Sequence, residues 1–167
     1  INNVANPRYT KAKVIESHQF RRIINRIYLD CDGIHDYLLL KLIFILGRCE
    51  KVCKLKWNDT LPRFADTLSE VYRASAISDP ALKISEEGYL FFPFAFSNKI
   101  HLTQDEVREI LQIRAIQAGY KRNQFDIMSI KRLRAKEIYD LTDSVEEVQN
   151  LCGFKYRKDA VRFIKTL

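Results

Sequence analysis

The order of apolar and polar residues predicts a chain built mostly from helices. A first helix is expected after Ser17, a suitable N-cap, because an apolar stripe follows at helical spacing. That stripe consists of Phe20, Ile23, Ile24 and Ile27. The segment from about Ile34 to Leu46 is apolar on nearly every side, so we expect a central, buried helix that ends at Gly47. A shorter helix is predicted from about Glu50.

Capping patterns organise the C-terminal half of the chain. Thr103 and Glu106 form one capping box, and Ser144 and Glu147 form a second one. The glycines that would end these two helices are Gly119 and Gly153. Two more helices are predicted over about residues 129–141 and about residues 157–166. These segments alternate with short polar connections, as expected for a helical domain.

The region between residues 58 and 100 has a less regular pattern. We expect a small β-sheet confined to about residues 57–85, although a helix from Pro62 to Arg73 fits the pattern equally well. The contiguous aromatic run 89–94 contains no lysine or arginine, which favours core packing over base stacking. The predicted fold class is therefore mainly α with a small β-sheet. We expect residues 1–167 to form a single domain, the C-terminal part of a longer protein.

Composition excludes several classes of protein. Hydrophobic residues make up 47% of the chain and charged residues 29%, which is typical of a globular domain. The longest apolar run, Leu42 to Leu46, is far too short to span a membrane. The four cysteines have no zinc-finger spacing to a histidine, so we expect reduced thiols, no metal and no cofactor. His18, His35 and His101 match no ligand or triad spacing and are expected at the surface.

The net charge is +7, and its distribution indicates a nucleic-acid partner. Residues 1–60 hold 11 basic and 6 acidic side chains, residues 61–120 hold 6 and 8, and residues 121–167 hold 11 and 7. If the two basic ends meet in the fold, they form one positive face suited to double-stranded DNA. The alternative is a basic protein whose charge serves solubility.

Two separated segments resemble the boxes that define the tyrosine recombinases, or phage integrases. In the first, the apolar stretch 38–46 ends in Gly47 and Arg48, and Trp57 follows within the segment 55–59. The second consists of residues 130–134, which resemble the family's His-x-Leu-Arg box, and the segment 145–154 after it. No single piece is specific, but their order and spacing together carry the resemblance over about residues 15–165.

The resemblance implies a site that binds phosphate. In the family, two distant arginines clamp one phosphodiester, because guanidinium groups match the geometry of phosphate oxygens. Arg48 and Arg134 match these two positions. Lys131 stands where the family usually has histidine, and Lys51 stands in place of an acidic residue. The DNA-binding set expected from this resemblance is Arg48, Lys51, Lys131, Arg132, Arg134, Lys155 and Arg157.

The same comparison predicts that the catalytic groups are missing. The stretch from Trp57 to about residue 77, where the family has a hairpin lysine, contains no lysine. Phe154 stands in place of the active-site His or Trp, and Phe163, ten residues after Gly153, stands in place of the nucleophilic tyrosine. Arg48, Lys131, Arg134, Phe154 and Phe163 would then be vestigial positions of a catalytic site.

The expected function is sequence-specific DNA binding on an inactive recombinase fold. Such a protein would act as a repressor of a phage or mobile element in the cytoplasm of a bacterial host, associated with the nucleoid. The C-terminal helix is a candidate for self-association, and no membrane is involved. The alternative is an active site-specific recombinase whose nucleophile has been changed to Phe163, with Tyr156 available only if the last helix is re-registered.

Overall fold

A computed structural model describes residues 12–78, 88–94 and 97–167 of the chain. These residues form eight helices in the order α1 (Ser17–Tyr28), α2 (Ile34–Leu46), α3 (Cys49–Cys53), α4 (Arg63–Ser78), α5 (Gln104–Gln117), α6 (Ile127–Thr142), α7 (Val145–Cys152) and α8 (Arg157–Ile164). The helical expectation is confirmed. Among the described residues, no helix is long and apolar enough to cross a membrane.

Helix α2 lies at the centre of the fold, as its sequence predicts. Leu38, Leu39, Leu40, Leu42 and Ile43 are all buried, so the helix is covered on more than one side. It packs against α1, α3, α4 and α6. The apolar stripe of α1 is buried in full, which leaves the opposite, polar face of that helix in solvent.

The small β-sheet expected over residues 57–85 is wrong for the part that the structure describes. Residues 63–78 form α4, and the described chain contains a single antiparallel bridge, Lys56 with Tyr89, rather than strands. A helix forms here because apolar residues recur every four positions and present one apolar face to the core: Phe64, Leu68 and Tyr72. Residues 79–87 of the expected sheet lie outside the described residues.

Most of the aromatic run packs in the core, as expected, although Phe94 at its end is exposed. Phe91 is fully buried, and Phe92 lies with its ring centroid 6.3 Å from that of Trp57. Trp57 stacks on Tyr72 at 5.8 Å, so the segment after α3, the helix α4 and the aromatic run are held together. Among the described residues, aromatic packing rather than strand pairing joins these segments.

The C-terminal helices follow their capping residues. Thr103 and Glu106 form the predicted capping box of α5, and the Ser144 side chain accepts a hydrogen bond from the Glu147 N–H at 3.2 Å. Helix α6 begins at Ile127, two residues before the expected position, because Asp126 caps it through the Ser129 N–H at 2.8 Å. Helices α7 and α8 form a small second apolar cluster against α6.

A buried arginine joins α5 to the start of α2. Arg114 is 8% exposed; its Nε donates to Asp36 at 2.6 Å and its Nη1 donates to Asp30 at 2.7 Å. Burial alone would raise the pKa of Asp36, but the hydrogen bonds and positive charges of His35 and Arg114 outweigh it, so that pKa lies below its ordinary value. Sequence reasoning did not find this network.

The surface position expected for the histidines is wrong for His35. Its Nδ1 lies 2.8 Å from Asp36, and its ring packs edge-on against Tyr72 and Phe91. The cause is the position of His35 in the first turn of α2, where α4 and the aromatic run cover it. His18 is exposed on α1.

Candidate nucleic-acid interface

The site begins where α2 ends. Gly47 has a φ of 68°, and a Cβ built on it would lie 2.8 Å from Leu151 Cγ, so only glycine fits here without a shift. This close approach presses the end of α2 against α7. Arg48 follows immediately as the N-cap of α3, and its side chain is thereby directed along the C-terminal end of α7.

Arg48 is held by the backbone of α7. Its Nη2 donates to the carbonyl oxygen of Asn150 at 2.8 Å. Its guanidinium lies against Gly153, where an added Cβ would be 2.6 Å from Arg48 Cζ. The arginine therefore caps the negative end of a helix, while the residue as a whole remains exposed to solvent.

Lys131 reaches the same end of α7 from α6. Its Nζ lies 3.2 Å from the carbonyl oxygen of Cys152 and 5.4 Å from the centre of the Phe154 ring. Both cations act on the thiol of Cys152. Burial raises the pKa of this thiol, and the positive charges of Lys131 and Arg48 oppose that rise. Two cations that are 83 residues apart in sequence thus meet at one helix end.

Arg48 and Lys131 line one open cleft of about 680 Å³ between α2, α3, α5 and α6. Its cationic residues are Arg48, Lys51, Lys54, Arg108 and Lys131. Its two carboxylates are already engaged, since Glu50 pairs with Lys54 at 2.9 Å and Asp126 caps α6. The cleft is therefore electropositive. Lys54 and Arg108 were missed by sequence reasoning, because the packing of α3 against α5 leaves no local signal.

Arg134 lies outside the lining of this cleft. It follows Lys131 by about one turn of α6. Its Cζ lies 5.2 Å from the centre of the Phe44 ring, and its Nη1 lies 3.7 Å from Glu137 Oε2. Its Nε is buried without a hydrogen-bond partner among the described residues. The structure thus brings Arg48, Lys51 and Lys131 together and places Arg134 on the adjacent side of α2.

The aromatic positions of the predicted site are adjacent to each other. The ring centroids of Phe154 and Phe163 are 5.3 Å apart, and Phe163 lies 5.2 Å from the guanidinium of Arg132. Arg132 also donates to Thr166, which ties it to the end of α8. Neither phenylalanine ring carries a hydroxyl group, so neither can attack phosphorus or move a proton.

The remaining predicted contacts lie around the start of α8. Lys155 and Arg157 are exposed, on either side of the N-cap residue Tyr156. The Tyr156 ring is half exposed and lies between Lys155 Nζ at 5.4 Å and Lys158 Nζ at 5.3 Å. In the described part of the chain, no group of three or more His, Cys, Asp or Glu residues could hold a metal ion.

Solved structures with this fold were found, although a scan against protein-family models and a search of curated proteins gave no match. One is the XerH site-specific recombinase bound to its difH substrate in a pre-cleavage complex, with a TM-score of 0.72 and 16% identity over 98% of this chain and 53% of that chain. The post-cleavage complex of XerH with a palindromic difH substrate gives 0.73 and 15% identity, over 93% of this chain and 50% of that one.

The XerA recombinase is also similar, with a TM-score of 0.70 and 13% identity over 96% of this chain and 62% of that chain. This chain thus spans about half to three fifths of the length of the solved chains that it matches. At such low identity the likeness concerns the fold alone. The chain is mainly helical and has a tyrosine-recombinase-like fold.

Proposed function

We propose that this chain binds double-stranded DNA through the cationic cleft and does not cut it. The observation that carries the proposal is the meeting of Arg48 and Lys131 in one open cleft, although they belong to the two separate sequence boxes. Neither side chain has a carboxylate partner among the described residues. No neighbouring carboxylate of the described structure therefore neutralises these two cations.

The chemistry of the cleft suits a phosphate backbone. Arg48 uses Nη2 for the Asn150 carbonyl, and the other N–H groups of a guanidinium remain available for phosphate oxygens. The ammonium groups of Lys51 and Lys131 add point charges on the same cleft. Phosphate contacts of this kind determine affinity and position, and they make binding depend strongly on salt.

The absence of cleavage is proposed from the residues at the vestigial positions. Strand cleavage by a recombinase requires a tyrosine hydroxyl that attacks phosphorus and groups that donate or accept protons. Phe163 offers no hydroxyl, and Lys131 is a poor proton shuttle at neutral pH compared with histidine. Tyr156 stands at the N-cap of α8, two helical turns before the position of Phe163.

A second candidate function is an active recombinase in which Phe163 replaces a natural tyrosine. The observation in its favour is that the Phe163 ring lies 5.3 Å from the Phe154 ring and 5.2 Å from the guanidinium of Arg132 on α6, so a tyrosine at this position would stand beside other residues of the predicted site. Recombinases are also among the solved structures with this fold. Formation of a covalent DNA adduct separates this candidate from the first.

DNA binding without cleavage suits a regulator. We therefore propose a repressor of a phage or mobile element, for which the recombinase-like repressors of SPβ-type prophages are one model, because a repressor needs the binding residues but not the chemical ones. We extend the proposal to a single recombinase-like domain, 1–167, that is associated with the nucleoid in the cytoplasm of a bacterial host. Self-association through α8 is part of the same proposal.

The proposal is tested by measuring the affinity for a duplex of about 30 base pairs by fluorescence anisotropy. Arg48→Ala and Lys131→Ala should each weaken binding by about 1–3 kcal/mol, the scale of a charged hydrogen bond. Lys136→Ala is the matched control, because Lys136 lies on α6, is exposed and pairs with Asp140 outside the cleft. Equal affinity for all four proteins would overturn the proposal.

A further inference from the structure

The exposed face of α1 carries a row of basic side chains. Arg21, Arg22 and Arg26 are exposed and line a shallow groove of about 530 Å³ beside the end of α5. His18 and Asn25 line the same groove, so the hydrogen-bonding residues follow the helical spacing of one face. We call His18, Arg21, Arg22, Asn25 and Arg26 the α1 stripe.

The charges of the α1 stripe are not neutralised within the described structure. Arg21 and Arg26 make no ion pair and no side-chain hydrogen bond to any described residue, and Arg22 lies over the Tyr120 ring at 5.7 Å. The acidic residues at the two ends of α1 are committed elsewhere, because Glu16 caps the helix and Asp30 binds Arg114. Packing thus explains Arg22 in part, while Arg21 and Arg26 have no polar partner within residues 12–78, 88–94 and 97–167.

A second groove links the α1 stripe to the centre of the molecule. Arg21 and Asn25 also line a groove of about 290 Å³ between α1, α2 and α6. The opposite wall of this groove includes Phe44 and Glu137, the two residues against which Arg134 lies. Arg134 does not itself line this groove, and Glu137 is its neighbouring carboxylate.

Helix α6 lines both the linking groove and the cationic cleft, through Glu137 and Lys131 respectively. Arg134 follows Lys131 by three residues on this helix, which places the two side chains on neighbouring positions of one face. Lys131 in turn lines the cleft with Arg48. The groove of the α1 stripe and the linking groove thus share Arg21 and Asn25, and the linking groove and the cleft are lined by consecutive residues of α2, Phe44 and Ile43.

We propose that the α1 stripe is a second contact surface for the phosphodiester backbone of the same DNA duplex that the cleft binds. This inference rests on the proposed DNA binding. From His18 to Arg26 the helix rises by about 12 Å, which is the length of three or four base-pair steps at roughly 3.4 Å of duplex axis per step. The guanidinium groups have the geometry that bidentate phosphate contacts require.

The test measures affinity against salt concentration for the wild type and three double variants with a duplex of about 30 base pairs. Arg21→Gln with Arg26→Gln removes the two unpartnered arginines of the α1 stripe. Arg48→Gln with Lys131→Gln removes charge from the cleft. Lys99→Gln with Arg122→Gln is the matched control, because both residues are exposed and line none of the three grooves.

The α1 variant should lower the slope of log affinity against log salt by about 2, close to one unit for each lost phosphate contact, and should weaken binding at least about tenfold at low salt. The control should keep the wild-type slope. A wild-type slope in the α1 variant overturns the inference, and this result is expected if the stripe binds an acidic protein segment instead of DNA. If the cleft variant has lost affinity in the same experiment, the proposed function still stands. No binding by the wild type overturns both.

Discussion

The backbone conformation at Gly153 determines where the Arg48 side chain can lie. Its φ of 72° is strained for any other residue, and an added Cβ would lie 2.6 Å from Arg48 Cζ. Gly153→Ala should lower the free energy of unfolding by about 1–2 kcal/mol and also displace Arg48, so that DNA affinity falls. Chemical denaturation and anisotropy measure the two effects separately.

Gly88→Ala is the matched control for that substitution. Gly88 has a φ of 76°, but its nearest neighbour to an added Cβ is Trp57 Cδ1 at 3.9 Å, which is ordinary contact. The control should lose a similar amount of stability and keep its DNA affinity. If both variants bind DNA with the same affinity, DNA binding does not depend on the position of the Arg48 side chain against Gly153.

At the scale of elements, the junction of α1, α2 and α5 depends on Arg114. Arg114→Met leaves Asp30 and Asp36 without their cation in a partly buried position, which should lower the free energy of unfolding by about 3 kcal/mol. Arg108→Met on the same helix removes an exposed pair with Asp105 and should cost less than about 1 kcal/mol. Equal losses measured by urea denaturation would contradict this role of Arg114.

The low pKa of Asp36 makes the same junction sensitive to acid. The pKa of this carboxyl is lower in the folded state than in the unfolded state, so the ionised group stabilises the fold when the pH is above the ordinary pKa of about 3.9. The stabilisation is lost as the pH falls below that value toward the lower pKa of the folded state. Asp36→Asn should therefore be less stable at neutral pH and lose less stability on acidification. Parallel stability curves of the two proteins between about pH 6 and pH 3 would contradict the assignment.

The helices could be predicted from sequence where a stripe or a cap identifies them. Helix α2 is apolar on all sides and ends at Gly47, so its bounds agree with the prediction. Helix α4 was not separable from strands, because its apolar spacing lies beside turn signals and a proline. The Arg114 network joins residues 78 and 84 positions apart, and such pairing leaves no periodic signal.

At the scale of the whole molecule, the two sequence boxes predict that Arg48, Lys131 and Arg134 lie together; the structure brings Arg48 and Lys131 to one cleft and leaves Arg134 outside its lining. The same reasoning did not find Lys54 and Arg108, which enter the cleft through the contact of α3 with α5. It also did not find the α1 stripe, because a basic face on an amphipathic helix is an ordinary solvated surface until its grooves are seen.

The proposed loss of catalysis predicts the behaviour of Phe163→Tyr. The new hydroxyl would project from a ring that packs beside Phe154 and Arg132, with Lys131 in place of a proton-shuttling histidine. Each missing acid–base group typically costs about 10²–10⁴-fold in rate. We expect unchanged duplex binding and no covalent adduct on a nicked or phosphorothiolate duplex; a readily detected adduct on a denaturing gel would support the recombinase instead.

The most direct test of the account is the salt dependence of wild-type affinity for duplex DNA. Three cleft cations have no carboxylate partner among the described residues: Arg48, Lys51 and Lys131. Log affinity should therefore fall with log salt with a slope of about −3 or steeper. A steep linear decrease in affinity is the predicted result. Affinity that does not change with salt, or no binding at low salt, would contradict DNA binding through the cationic cleft.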